Sequence, residues 1–172
     1  VAWWNLENLF DVEGAPGRPV WLADQWRSEL AGWDAAILDA KLGQISRGIA
    51  ALNGGSGPDL LGVCEVENRD VLEKLIARLA ADMPNRVYHI AHADTEDKRG
   101  IDVALLFDPD MFDLGETFHH VVLKRNATRD LFQTNLTTKP GGQPLVVIGN
   151  HWPSRSGGQF ESEPFRIMAA ET

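Results

Sequence analysis

The run Asp59-Leu60-Leu61-Gly62-Val63-Cys64-Glu65-Val66 constrains the fold of this chain more than any other segment. Its apolar residues follow one another without polar alternation, which suits a strand buried in a protein interior. Such a strand must be covered, and the flanking sequence supplies the cover. Upstream, Asp34 can cap a helix reaching about Leu52, with Leu38, Leu42, Ile45 and Ile49 on one face. The segment Asn53-Gly54-Gly55-Ser56-Gly57-Pro58 stops it. Downstream, Asn68 can cap a helix from about Arg69 to Asp82, striped by Val71, Leu72, Leu75, Ile76 and Leu79. Val1-Ala2-Trp3-Trp4-Asn5-Leu6 reads as another buried strand.

Between these elements, residues 11–32 hold Gly14, Pro16, Gly17 and Pro19 and read as a loop with a short helix around Trp26. Further strands are expected near 87–92, 101–107, 117–123, 131–138 and 144–151, with a turn at Asp108, Pro109 and Asp110. Residues 161–171 read as a helix. Strand, helix, strand, helix and then closely spaced strands make an α+β chain with a mixed sheet backed by helices. A second, antiparallel-rich sheet packed on the first would complete a sandwich. The 172 residues suffice for one domain with a real core, and no repeat or linker divides them.

The net charge of −9 is spread evenly, and neither half is basic. That weighs against tight nonspecific nucleic-acid binding, which rests on neutralising phosphates. It does not exclude phosphate chemistry, because a bound metal supplies positive charge locally. The single cysteine, Cys64, precludes an intrachain disulfide and a multi-cysteine zinc site. No apolar run approaches the ~18 residues of a membrane span. The six tryptophans are expected to serve mostly in packing, and His89, His92, His119 and His120 to be strand or surface residues.

Four places put polar groups where a buried strand begins or ends. Asn5 and Glu7 have strand spacing and would share a face. Glu65 ends an apolar strand, with Glu67 two residues on. Asp102 enters an apolar strand close to Arg99. Asn150 and His151 leave an apolar strand into a Gly/Ser loop. Carboxylates and amides with few Cys or His suit a hard cation such as Mg2+ or Mn2+. Each position also has an ordinary reading. Glu67 can serve the helix that starts beside it, Asn5 can satisfy backbone groups at a turn, Asp102 can pair with Arg99 or Lys98, and a lone histidine is more often structural than catalytic.

Taken in order, the four segments resemble one family. Trp4-Asn5-Leu6-Glu7-Asn8, the run ending in Glu65-Val66, Arg99-Gly100-Ile101-Asp102-Val103-Ala104-Leu105-Leu106 and Gly149-Asn150-His151-Trp152-Pro153-Ser154 resemble successive strand motifs of the endonuclease/exonuclease/phosphatase family. The resemblance implies a two-sheet α/β sandwich of the DNase I-like type and a phosphoester substrate, nucleic acid by default. It implies Mg2+ or Mn2+ held by Glu65 and, less securely, Glu7. Asn5 would hold the metal shell or a phosphate oxygen, and His151 would donate to the phosphoryl oxygens. Asp102 would orient His151, and Asn150 and Ser154 would add substrate contacts.

The family's G-D-x-N strand and terminal D-H pair do not occur among these residues. The chain is therefore expected to be the N-terminal part of such a domain, catalytically dead or nearly so by itself. Self-association is expected to cover the sheet surface that a second half would bury. The alternative is a binding or assembly module that keeps only the scaffold.

Overall fold

Two carboxamide and carboxylate caps set the helical side of the molecule. Asp34 accepts the backbone N–H groups of Ala36 and Ile37, and Asn68 accepts that of Val71 at 2.9 Å. They start helices α2 (Ala35–Ala51) and α3 (Arg69–Asp82), as their sequences predict. A shorter helix, α1 (Val20–Gln25), precedes Trp26 instead of surrounding it. The computed structural model describes residues 1–122, 130–155 and 158–172.

Seven strands follow the caps' lead: β1 (Ala2–Leu9), β2 (Leu60–Val66), β3 (His89–His92), β4 (Asp102–Phe107), β5 (Phe112–His120), β6 (Leu131–Thr138) and β7 (Pro144–Gly149). The first four form a mixed sheet in the order β1-β2-β4-β3, with β1 and β2 parallel and the other pairs antiparallel. The last three form an antiparallel sheet in sequence order. A helix α4 (Gln159–Glu171) ends the chain.

Period-two alternation divides the core of the first sheet. Leu61, Val63, Val66, Ala104 and Leu106 point to α2 and α3 and pack with Leu38, Leu42, Ile45, Ile49, Leu72, Leu75 and Leu79. Leu60, Cys64, Val103, Leu105 and Phe107 point the other way and pack on Phe112, Phe132 and Leu136 of the second sheet. The layers are thus helices, mixed sheet and antiparallel sheet, which is the α+β sandwich expected from the sequence. Cys64 is buried among apolar neighbours, in keeping with a structural thiol.

Two expectations change. Strand β5 begins at Phe112 instead of 117, because only Phe112 of its nine residues is buried and the rest gives no apolar rhythm. The expected strand end at 123 and loop positions 156 and 157 lie outside the described residues. Trp26 and Trp33 pack inward, but Trp3, Trp4, Trp21 and Trp152 keep between 37% and 53% of their surface exposed. Trp3 lies flat against Gly62, and a Cβ there would stand 2.1 Å from its ring; its far edge reaches Gly149 of β7.

Replacing Asn68 by alanine removes the acceptor for Val71 N–H. The expected loss is about 1 kcal/mol of unfolding free energy, read from urea denaturation at unchanged slope.

Candidate active site

Parallel pairing brings the ends of β1 and β2 side by side, and both ends are irregular. The ladder breaks between Asn5 and Leu9 on β1 and between Cys64 and Val66 on β2. The breaks coincide with left-handed backbone at three non-glycine residues: Glu7 (φ 54°), Asn8 (φ 57°) and Glu65 (φ 62°). Each such residue costs on the order of 1–3 kcal/mol and persists only where its surroundings hold it. The break also ends strand alternation after Leu6, so the shared face expected of Asn5 and Glu7 does not follow from strand spacing.

The left-handed turn at Glu65 brings its carboxylate back over β1. Its Oε2 accepts the backbone N–H of Asn8 at 3.1 Å. Its Oε1 lies 3.5 Å from Arg99 Nη2 and 3.3 Å from His151 Nε2. Arg99 Nη2 also donates to Asn8 Oδ1 at 2.8 Å. The side chains of Glu65 and His151 retain only 13% and 14% of their surface, so the pair sits recessed but open to solvent. The structure therefore joins Glu65 and His151, which the sequence placed in separate motifs, and adds Asn8 and Arg99 to them.

Lys41 of α2 closes another side, donating from Nζ to the carbonyls of Glu7 at 2.7 Å and Asn8 at 3.2 Å. Burial pushes its ammonium below the usual lysine value, and the nearby charges of Glu7 and Glu65 oppose that shift. A cleft of about 220 Å³ opens here, lined by Glu7, Asn8, Phe10, Trp33 and Lys41 among others. Two cationic side chains, Arg99 and Lys41, thus stand near a carboxylate in a chain of net charge −9. That is a local setting for an anionic group such as a phosphoester.

The remaining predicted residues fall as follows. Asn5 is exposed, and its Oδ1 accepts the N–H of Glu7 at 2.8 Å, the ordinary turn role available to it. Glu7 is exposed at the cleft. Asn150 is spent locally: it donates to Ile148 O at 2.8 Å and accepts from Trp152 Nε1 at 3.1 Å. Ser154 is exposed on the following loop. Asp102 turns toward neither Arg99 nor Lys98; its Oδ1 accepts from the backbone N–H and hydroxyl of Thr95, and its Oδ2 lies 3.4 Å from His92 Nε2.

Glu67 differs most from its expected place. It does not serve α3, which Asn68 caps alone. Its carboxylate is buried and grips the guanidinium of Arg18 through Nε and, at 2.8 Å, Nη2, while Oε2 accepts Asp11 N–H at 2.7 Å. Arg18 also donates to the carbonyls of Val12 and Asp11. This knot ties the 11–18 loop to the chain immediately after Glu65. No periodicity marks Arg18 in the sequence; only its charge amid Pro and Gly sets it apart. Lys41 was hidden similarly, as one cation on the polar side of an amphipathic helix.

The Glu65 carboxylate is itself a hard oxygen ligand, and it meets the Asn8 backbone N–H, Arg99 and His151. A sequence model described as "Endonuclease/Exonuclease/phosphatase family" matches residues 1–172. No curated protein matches the sequence. Among solved structures, a functionally unknown conserved protein from Enterococcus faecalis V583 superposes with TM-score 0.50 at 13% identity, over 76% of this chain and 51% of that one. Truncated Caenorhabditis elegans TDP2 gives 0.49 at 17% identity, over 99% of this chain and 55% of that one. The human Nocturnin catalytic domain with bound sulfate anion gives 0.43 at 22% identity, over 58% and 39%. The chain spans between 39% and 55% of the length of these three proteins. The Enterococcus likeness speaks to the fold.

Proposed function

The chain belongs to the endonuclease/exonuclease/phosphatase family, and on that premise we propose that it carries the metal-binding and phosphate-contacting part of a divalent-metal-dependent phosphoesterase site. The observation that carries the reading is the meeting of Glu65 Oε1 and His151 Nε2 at 3.3 Å, with Arg99 beside them. Phosphodiester hydrolysis is the reaction class, with nucleic acid as the default substrate. The acidic balance of the chain leaves small phosphoesters in the field.

Glu65 would hold Mg2+ or Mn2+, and Asn5 and Glu7 would join it only by giving up the turn contact that Asn5 Oδ1 makes with Glu7 N–H. The bound metal would offset charge that develops on the phosphoryl oxygens. His151 would donate from Nε2 to a phosphate oxygen, and Arg99 and Lys41 would add positive charge against the same anion. Asn8 keeps Glu65 and Arg99 in register through its backbone N–H and its side-chain oxygen. No residue among these 172 is assigned to position the attacking water. Hydrolysis of bis(p-nitrophenyl) phosphate by this chain alone is accordingly expected at or near background.

The test is therefore binding. Mg2+ titrated into the 15N-labelled chain is expected to shift the amide resonances of Glu65 and Asn8. Glu65→Gln is expected to weaken that response by about tenfold or more, at least as much as loss of an outer-shell partner does. A Mg2+ response unchanged by the substitution would sink the assignment. No Mg2+ response at millimolar concentration would favour the alternative, a scaffold that binds or assembles without chemistry.

A further inference from the structure

We propose that His92, Asp94 and Asp102 form a second divalent-cation site, of the zinc class, separate from Glu65. His92 is the last residue of β3 and Asp102 the first of the antiparallel neighbour β4, so the sheet itself brings them together. Asp94 stands on the loop that joins the two strands. One donor atom from each of the three residues lies within 4.8 Å of the others.

Two observations set this cluster apart from ordinary surface acidity. The side chain of His92 is 2% exposed, and among the described residues its buried Nε2 makes no hydrogen bond. A buried ring nitrogen left so is uncommon and calls for a partner. It faces Asp102 Oδ2 at 3.4 Å and Asp94 Oδ1 at 4.0 Å. Secondly, the Asp102 side chain is 5% exposed, and among the described residues no lysine or arginine pairs with it or with Asp94. Nearby, Asp130 is raised from its ordinary value, first by burial; His119 pulls the other way, and Glu96 and Asp102 add to the rise.

One imidazole nitrogen and two carboxylates suit Zn2+ or Mn2+ better than Mg2+ or Ca2+, which take oxygen alone. Zinc bonds of about 2.0–2.2 Å in a tetrahedron put neighbouring ligand atoms about 3.4 Å apart. His92 and Asp102 already stand at that separation. Asp94 is 81% exposed and free to swing the remaining distance. Thr95 fixes Asp102 through its other oxygen, which is the usual way a ligand carboxylate is oriented. Water would take the open position.

The consequence reaches the active site. The 93–101 loop carries Arg99, which touches Asn8 and Glu65. A cation clamping Asp94 to the strand ends would hold that loop, and so Arg99, in place.

The test uses Zn2+ alone with the chelator-treated chain, followed by titration calorimetry and by NMR of the histidine rings. A single equivalent is expected to bind with shifted His92 resonances. Asp94→Asn, an exposed change that leaves the fold intact by circular dichroism, is expected to weaken binding about tenfold, and His92→Gln more. The Zn2+ binding event that shifts the His92 ring resonances is expected to persist in Glu65→Gln. Binding undiminished by Asp94→Asn and His92→Gln would overturn the proposal, and so would binding lost with Glu65→Gln instead. Failure to bind Zn2+ at micromolar concentration would overturn it too, without touching the Glu65 reading, which Mg2+ tests.

Discussion

Glu67→Ala is expected to cost about 3–5 kcal/mol of folding free energy, because it leaves a buried guanidinium without its counter-charge. Arg18 and Glu67 retain only 3% and 2% of their side-chain surface, so little water can replace the lost partner. Glu67 meets Arg18 through both carboxylate oxygens, the planar fork that gives such pairs their strength. That contact holds the guanidinium above its ordinary value. The substitution also strips Asp11 N–H of its acceptor, and Asp11 in turn receives Lys74. Against a total stability of about 5–15 kcal/mol for a typical domain, the loss is large. Urea unfolding followed by circular dichroism measures it. Glu67→Gln, which keeps an acceptor of the same shape, is expected to lose less. A loss no greater than that of an exposed pair, about 1 kcal/mol or below, would show that the knot contributes little.

Phe132→Ala is expected to be comparably severe, at about 3–5 kcal/mol, for an apolar reason. Phe132 is 1% exposed and stands between the sheets against Phe107, Phe112 and Leu136. Truncation removes its transfer free energy and leaves a cavity that the two stiff sheets close poorly. Phe132→Leu keeps most of the volume and is expected to cost below about 1.5 kcal/mol. The contrast between the two variants in urea denaturation checks the argument, and equal losses would contradict it. Phe132 also pairs with Gly149, two residues before His151. Loosening that pair would move His151 relative to Glu65, so weaker ligand binding is expected to accompany the lost stability.

Elements with one dry face were legible in the sequence. The β2 run, the stripes of α2 and α3 and the caps Asp34 and Asn68 all appear where their patterns put them. Strand β5 was displaced because an exposed strand has no burial pattern to read. The sandwich was legible because a strand without polar alternation requires cover on two sides.

The site was legible as residue types at strand ends and not as geometry. Glu65 and His151 meet because β2 lies in the mixed sheet and β7 in the sheet docked on it, a relation that no local spacing encodes. The partners of Asp102 and Glu67 were misread for a related reason. Sequence neighbours such as Arg99 and the start of α3 were the visible candidates, but strand ends turn side chains toward partners that the fold, and not adjacency, supplies. Arg18, Thr95 and His92 are such partners. The left-handed backbone at Glu7, Asn8 and Glu65 was invisible, since none of these residue types announces it as glycine would.

Those three torsions bear on what shaped this sequence. Selection for folding alone would drift toward glycine at a left-handed position, because glycine removes the steric penalty and most other side chains keep it. Glycine stands at many such places in this chain, including Gly14, Gly17, Gly54 and Gly100. Where a glutamate, an asparagine and a glutamate stand instead, the penalty has been tolerated for something their side chains provide.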